Sequence, residues 1–343
     1  FHDYVRSGSW TETTLKNNSN DFQKISFRQR VAVDISNRTT KKSLLGVEYK
    51  MPVALAPVGS LGMQRADGEI LAAQAAEGFG VPFTLSTMSI CSIEEVARNT
   101  SKPFWFQLYV MRDHDFAKRL VERAKAAQCS ALVLTLDLQI LGQRHADIRN
   151  GLSIPLKIKL SNLFDLLSKP SWCYQMARTK NRTFGNVMGH VKDISNLNSL
   201  TKWVQDQFDT RLNWDDVKRI KDWWGGKLII KGIMDPDDAK MAQKCGADAL
   251  VVSNHGGRQL DGVNSSISTL PEIKKAVSHM EVLMDGGISS GQDILKAIAM
   301  GAEGVMIGRS FVYGLSAGGK EGVTKSLEIL NKDLDMTMAL CGR

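Results

Sequence analysis

One pattern constrains this chain more than any other. From Met51 onward, short apolar runs alternate with amphipathic stretches, eight times over. The runs start near Pro52 (PVALAP), Pro82 (PFTLST), Phe104 (FWFQLYV), Ala131 (ALVLTLD), Lys227 (KLIIKG), Ala249 (ALVVSN), Val282 (VLMDGG) and Gly304 (GVMIGR). Helical stretches between and after them span Gly68–Gly78, Ser92–Arg98, His114–Ala127, Trp214–Trp224, Pro236–Cys245, Leu270–Val277, Gln292–Ala299 and Glu321–Ala339. Runs that are continuously apolar predict strands buried on both faces, hence a parallel sheet. Eight such units close most simply into an α/β (β/α)8 TIM barrel. The 343 residues, 43% of them hydrophobic, suffice for one large core, so residues 1–343 are expected to form a single domain.

Spacing adds a second feature. Strand starts lie roughly 20–35 residues apart, as compact βα units require, except between the fourth and fifth. That gap leaves an insert over 138–213, after strand 4. It carries Lys157, Lys159, Lys169, Arg178, Lys180 and Arg182 among Leu163, Phe164, Leu166, Leu167, Trp172, Tyr174 and Phe184. Two readings stay open: an ordered lid over the site, or a basic aromatic surface that docks on anionic lipid. Residues 1–50 form a polar N-terminal segment with Tyr4, a Ser-Gly-Ser turn at 7–9 and a helix over Glu12–Asn18.

Charge and cysteine usage exclude several classes. The formal charge is +8 without a dense Lys/Arg run or a zinc-finger pattern, so small anions or an anionic membrane surface fit better than nucleic acid. Five scattered cysteines, an odd number, predict buried thiols in a reducing compartment rather than a disulfide framework. No apolar run reaches the roughly 18 residues a spanning helix needs. The chain opens Phe1-His2-Asp3-Tyr4 without a methionine, so a preceding piece is expected to be missing. No metal site is expected.

Chemistry in such barrels sits at the C-terminal strand ends. Here those ends read Pro57-Val58-Gly59, Ser86-Thr87, Gln107 with Tyr109, Thr135 with Asp137, Lys231, Ser253 to Arg258, Asp285-Gly286-Gly287 and Gly308-Arg309. In Ser253-Asn-His-Gly-Gly-Arg-Gln259 a proton carrier, His255, stands three residues from a fixed cation, Arg258. That pair suits holding a carboxylate while moving a proton on the neighbouring carbon. The glycine-rich last two ends are expected to cradle a phosphate. Neither a G-x-G-x-x-G after an opening strand nor a P-loop is present, so the phosphorylated ligand lies across the mouth. A barrel that binds a phospho-ligand without redox chemistry, or an aldolase with Lys231 as Schiff-base lysine, is the competing class.

The stretch at 253–259 resembles the signature of the FMN-dependent α-hydroxy-acid oxidase and dehydrogenase family. The resemblance extends over nearly the whole chain: AP near 56, TLST at 84, FQLY at 106, LGQRHAD ending at 147, KG at 231, DGG at 285 and IGR at 307. Thr87-Met-Ser-Ile-Cys-Ser-Ile-Glu-Glu-Val-Ala97 is more similar to bacterial respiratory L-lactate dehydrogenases than to plant glycolate oxidases. The resemblance implies oxidation of a small L-2-hydroxy acid, L-lactate foremost, with FMN as cofactor and flavin N5 as acceptor. It implies His255 as base, Asp137 as its hydrogen-bond partner, and Tyr109 facing the substrate. Tyr4, Arg144 and Arg258 would bind the carboxylate. Ser86, Gln107, Thr135, Lys231 and Ser253, with the backbone of Pro57, Val58 and Gly59, would line the flavin ring. Asp285, Gly286, Gly287, Gly308 and Arg309 would hold ribityl and phosphate. Electrons would pass to a respiratory-chain acceptor, quinone or cytochrome; the alternative is a soluble oxidase that reduces O2 to peroxide. A homotetramer is expected, in the cytoplasm or peripheral on the inner face of the cell membrane.

Two departures from the family pattern stand out. Ile288-Ser289-Ser290 follows the DGG where many members carry an arginine, which predicts weaker FMN retention. Met88 stands where oxidases often have tryptophan, so substrate size does not carry over from them.

Overall fold

A computed structural model describes residues 2–150, 168–189 and 207–343. The insert residues Lys157, Lys159, Leu163, Phe164, Leu166 and Leu167 lie outside the described residues. A short antiparallel hairpin comes first, β1 (Lys42–Leu44) and β2 (Val47–Tyr49), followed by eight parallel strands. These are β3 (Val53–Leu55), β4 (Thr84–Ser86), β5 (Trp105–Tyr109), β6 (Ala131–Thr135), β7 (Lys227–Ile233), β8 (Ala249–Val252), β9 (Glu281–Asp285) and β10 (Gly304–Ile307). Six fall within their apolar runs; β9 begins one residue before its run and β7 ends one residue after. The sheet runs β3-β10-β9-β8-β7-β6-β5-β4. A single parallel bridge, Leu55 to Phe83, joins β3 to β4 and closes the ring. The other seams hold three to five register pairs.

The period of two along each strand builds two cores. Trp105, Ala131, Val133, Ile229, Ala249, Val251, Leu283 and Met306 pack together inside the barrel. Their neighbours Phe106, Leu132, Leu134, Leu228, Leu250 and Val282 join the larger core under the helices. The hairpin stops the N-terminal end of the barrel: Leu44 is fully buried against Gly304, and Leu45 packs onto the inner cluster. Sequence patterning missed this hairpin because its strands are short and largely exposed. Its one signal was Gly46, which with Leu45 takes left-handed backbone (φ 84° and 53°), as a tight primed turn needs.

Helix starts follow side-chain chemistry. Ser92 with Glu95, Asn213 with Asp216 and Ser290 with Asp293 form capping boxes, and Asp113 and Asp235 cap by single bonds. Three expected boundaries shift most. The helix expected from Leu270 begins at Ser266, because Ser265 accepts from the Ser268 N–H, and Pro271 falls inside it. The last helix runs Arg309–Leu340 rather than starting at Glu321, broken at Gly319 (φ 61°, ψ −135°). The N-terminal helix also extends further than expected, over Thr13–Gln23. Among the described residues no helix is long and apolar enough to cross a membrane.

Candidate active site

The inner layer of the barrel explains where the polar groups go. One strand period beyond Trp105, Val133, Ile229, Val251, Leu283 and Met306 stand Gln107, Thr135, Lys231, Ser253, Asp285 and Gly308. The five side chains therefore stand at the C-terminal mouth directly above the apolar filling, and Gly308 leaves its place there open. There a cavity of about 1060 Å³ opens. It is lined by Tyr4, Pro57, Val58, Gly59, Tyr109, Thr135, Arg144, Lys231, His255, Arg258, Asp285, Gly286, Gly287, Gly308 and Arg309. The remaining expected site residues, Ser86, Gln107, Asp137 and Ser253, stand behind this lining and hold it in place.

His255 Nδ1 lies 3.0 and 3.1 Å from the two carboxylate oxygens of Asp137. Burial alone would raise the Asp137 carboxyl, but the charge and hydrogen bond of His255, with the Lys231 charge, outweigh it and hold Asp137 below the usual carboxylate range. Asp137 fits there because β7 bulges: its register slips between Lys231 and Ile233. At the bulge Gly232 takes φ 106°, and a Cβ on it would meet the Asp137 Cβ and Cγ at 2.8 Å. His255 itself adopts φ 58°, followed by Gly256 and Gly257 at 64° and 73°. For a residue with a side chain that backbone costs about 1–3 kcal/mol, and the packed surroundings must maintain it. Gly257 must be glycine, since a Cβ would sit 2.6 Å from Leu15 of the N-terminal helix.

Cations dominate the rest of the mouth. Arg258 donates through Nη1 to the carbonyls of Tyr4 (2.5 Å) and Ser7 (2.8 Å), and its guanidinium lies 4.8 Å from the Tyr4 ring centre. Burial, then the Arg144 charge, pulls Arg258 down to about 10, so it stays charged at neutral pH. Arg144 reaches the Arg258 carbonyl through Nε at 3.3 Å. Arg309 donates to Val5, Gly256 and Ser7 carbonyls. Three buried or half-buried guanidiniums in one mouth, facing carbonyls rather than carboxylates, make a site that favours anions. Tyr109 is pushed above the usual phenol range by burial and then by Asp137, so it remains a hydroxyl donor.

On the opposite rim, Lys231 pairs with Asp285 at 2.7 Å and donates to Ser253 Oγ at 2.7 Å, while Ser253 Oγ also accepts from the His255 N–H. Ser86 donates to Gln107 Oε1 at 3.2 Å. Gln107 Nε2, Thr135 Oγ1 and Asp285 Oδ1 are buried without a protein partner. Buried polar atoms left over in this way are strongly disfavoured unless a ligand takes them up. The Arg309–Leu340 helix starts from Gly308 with no side-chain cap, and nothing stands within 4 Å of where a Gly308 Cβ would be. Uncapped N–H groups beside Gly286 and Gly287 suit a phosphate.

Sequence reasoning did not single out several lining groups. Asp147, buried with an unpartnered Oδ1, had a signal: it stands three residues after Arg144, on the short helix His145–Arg149. Leu15 and Ser19 of the N-terminal helix, and Thr183 of the insert, also line the cavity and had none, while Phe184, already named among the insert aromatics, stands beside Thr183 in the lining. Trp172 of the same insert donates to the Met63 carbonyl at 3.0 Å.

What the fold and the mouth describe between them is a barrel enzyme built around a flat, phosphorylated cofactor. Known proteins give that class its family. The chain belongs to the FMN-dependent dehydrogenase family, whose model matches residues 1–343. It is 46% identical over 342 residues to an L-lactate dehydrogenase of Haemophilus influenzae (strain PittEE), covering 99% of this chain and 89% of that one. It is 45% identical over 342 residues to an L-lactate dehydrogenase of Caulobacter sp. (strain K31), covering 99% and 90%. Among solved structures, the monotopic membrane protein (S)-mandelate dehydrogenase superposes with a TM-score of 0.94 at 35% identity, covering 99% and 90%. Mandelate oxidase with (S)-4-hydroxymandelic acid superposes at 0.86 with 34% identity and the same coverage. The protein is thus an FMN-dependent 2-hydroxy-acid dehydrogenase, and the leftover polar atoms at Gln107, Thr135 and Asp285 fit that cofactor.

Proposed function

We propose that this enzyme oxidises a small L-2-hydroxy acid, L-lactate foremost, to the 2-oxo acid, with His255 as the base. One observation carries the reading: the His255–Asp137 pair opens into the same cavity as Arg258, Arg144 and Tyr109. Arg258 and Arg144, with Tyr4, hold the substrate carboxylate, an anion that three neighbouring guanidiniums favour. Tyr109 donates its hydroxyl toward the substrate. His255 takes the proton released as the C2 carbinol becomes a carbonyl, and Asp137 keeps the imidazolium stable by its negative charge. Ser86, Gln107, Thr135, Lys231 and Ser253, with the backbone of Pro57, Val58 and Gly59, would hold the ring of FMN. Asp285, Gly286, Gly287, Gly308 and Arg309 would hold its ribityl and phosphate. Bound FMN supplies the two-electron acceptor.

The names of the curated relatives support lactate. For the onward acceptor we favour a respiratory quinone or cytochrome reached from the inner face of the cell membrane, which the monotopic mandelate dehydrogenase supports. Its likeness to mandelate oxidase supports a second reading, with O2 as acceptor. Residues 1–343 work as one catalytic domain, 138–213 serving as lid and membrane-facing insert. Stopped-flow flavin bleaching against lactate, glycolate and mandelate tests the substrate; the fastest bleaching is expected with lactate, and none with any of the three would refute the reading. Peroxide counted per 2-oxo acid formed tests the acceptor: a yield well below one is expected, and near-stoichiometric peroxide would establish the oxidase instead.

A further inference from the structure

The N-terminal helix Thr13–Gln23 carries a polar residue that the reaction above leaves unused. Asn18 is 1% exposed and forms a reciprocal amide pair with Asn254, each Nδ2 donating to the other's Oδ1 at 2.8 Å. Asn254 precedes His255 and sets its loop: Asn254 Oδ1 also accepts from the Gly257 N–H at 3.1 Å, and its Nδ2 donates to the Asn264 carbonyl. Asn18 Oδ1 further accepts from the Ser266 N–H. On its other side Asn18 touches the expected phosphate turn. A Cβ on Gly287 would lie 1.9 Å from the Asn18 carbonyl oxygen, and one on Gly286 3.1 Å from its Nδ2. Asn18 therefore reaches the loop that bears the base and the Gly286 end of the cradle turn through its side-chain amide, and the Gly287 end through its backbone carbonyl. A carboxamide donates and accepts across such a pair at once at every pH, which a carboxyl of this size does only when protonated.

We propose that Asn18 is a positioning residue: it holds the strained His255 loop and the Gly286–Gly287 turn in mutual register, so that base and cofactor face the substrate together. The proposal rests on the reading of His255 as base. Residues this close to the reacting groups act through placement, and a shift of about 1 Å is enough to cost roughly 100-fold in rate.

The alternative is that Asn18 only fastens the helix. Thr14 provides the control, because it fastens the same helix away from His255: its N–H reaches Asp261, and its Oγ1 accepts from the Gly262 and Val263 N–H groups. In FMN-loaded enzyme, Asn18→Ala is expected to slow flavin reduction at saturating lactate by roughly 10- to 100-fold. Titration with FMN, followed by flavin fluorescence, should show weaker binding as well. Thr14→Ala should lower Tm while leaving both nearly unchanged. Normal reduction and FMN binding in Asn18→Ala, or equal losses in Thr14→Ala, would overturn the proposal.

Asn18→Asp gives a second test that survives misfolding of the alanine variant. The groups that Asn18 touches in Asn254, Ser266, Gly286 and Gly287 do not titrate. The charged groups facing it from the same elements are His255 beside Asn254, Asp285 beside Gly286 with its partner Lys231, and Asp21 one turn along the helix, all present in the parent as well, so the ratio to the parent isolates the new carboxyl. Ionised, it sets oxygen against the Asn254 oxygen; protonated, it donates to it. The rate of Asn18→Asp relative to the parent is expected to rise as pH falls, and a flat ratio would count against the pair. His255→Ala run alongside separates the two ideas. If it reduces flavin at the parent rate the base assignment fails; if it is inactive while Asn18→Ala is not, only the role of Asn18 fails.

Discussion

Asp137 shows how much of this site depends on a single atom-to-atom relation. Its carboxylate is half-buried, depressed below its usual range and 3.0 Å from His255, which in the proposed reaction lets it stabilise a charged imidazole. Asp137→Asn retains the size but removes the charge, and is expected to cut kcat by roughly 10²–10⁴-fold, the range of general-base catalysis. Lactate KM should change little, since Arg258 and Arg144 are untouched. Steady-state kinetics checks this, and an unchanged kcat would remove Asp137 from the mechanism. His255 and Arg258 were legible in the sequence because one short loop bears both, and its glycines mark the turn. Asn18 was not: its partner stands 236 positions away, and nothing near it in the chain hints at an amide pair.

Strands and helices were read more surely than the contacts between them. All eight barrel strands fall at the apolar runs, since burial on both faces leaves an unbroken signature. The bulge in β7 was invisible, although its glycine was in view next to Lys231. Its meaning comes from the neighbouring strand, whose continuation brings Asp137 against Gly232. Gly232→Ala places a methyl where the Asp137 side chain stands, on backbone at φ 106° that alanine resists. Loss of Asp137 from His255 follows, with an expected fall in kcat of roughly 100-fold. A lower Tm should accompany it, and a variant with the parent's rate would show that the bulge does not set the pair.

Across the whole molecule, positive charge gathers where the ligands go. The chain carries +8, and three of its arginines meet in one mouth. Yet the turn after Gly287 offers no further cation: Ile288 is buried, and Ser289 and Ser290 are committed to the Asp293 carboxylate. Arg309 is already shared among three carbonyls. FMN is therefore expected to leave this protein on dialysis more readily than family members with an arginine at that turn. Flavin absorbance per protein before and after dialysis measures it, and full retention would refute it. Apoprotein so prepared should melt below the holoenzyme, because a ligand bound only by the native state stabilises it. The barrel as a whole was legible from the count of repeats; the insert was read only as a lid or a lipid-docking surface, and which of its residues touch the barrel was not legible, because that depends on contacts with Met63, Asp67 and the β4 loop rather than on any period of its own.

The ring of strands is not zipped evenly. Between β3 and β4 it is fastened by one bridge, and the walls of the mouth directly above that seam are Pro57 to Gly59 on one side and Met88 on the other. These two walls already touch, Ser60 N–H donating to the Met88 carbonyl at 2.9 Å, so a guest resting on both would brace the thinnest weld of the cylinder from inside.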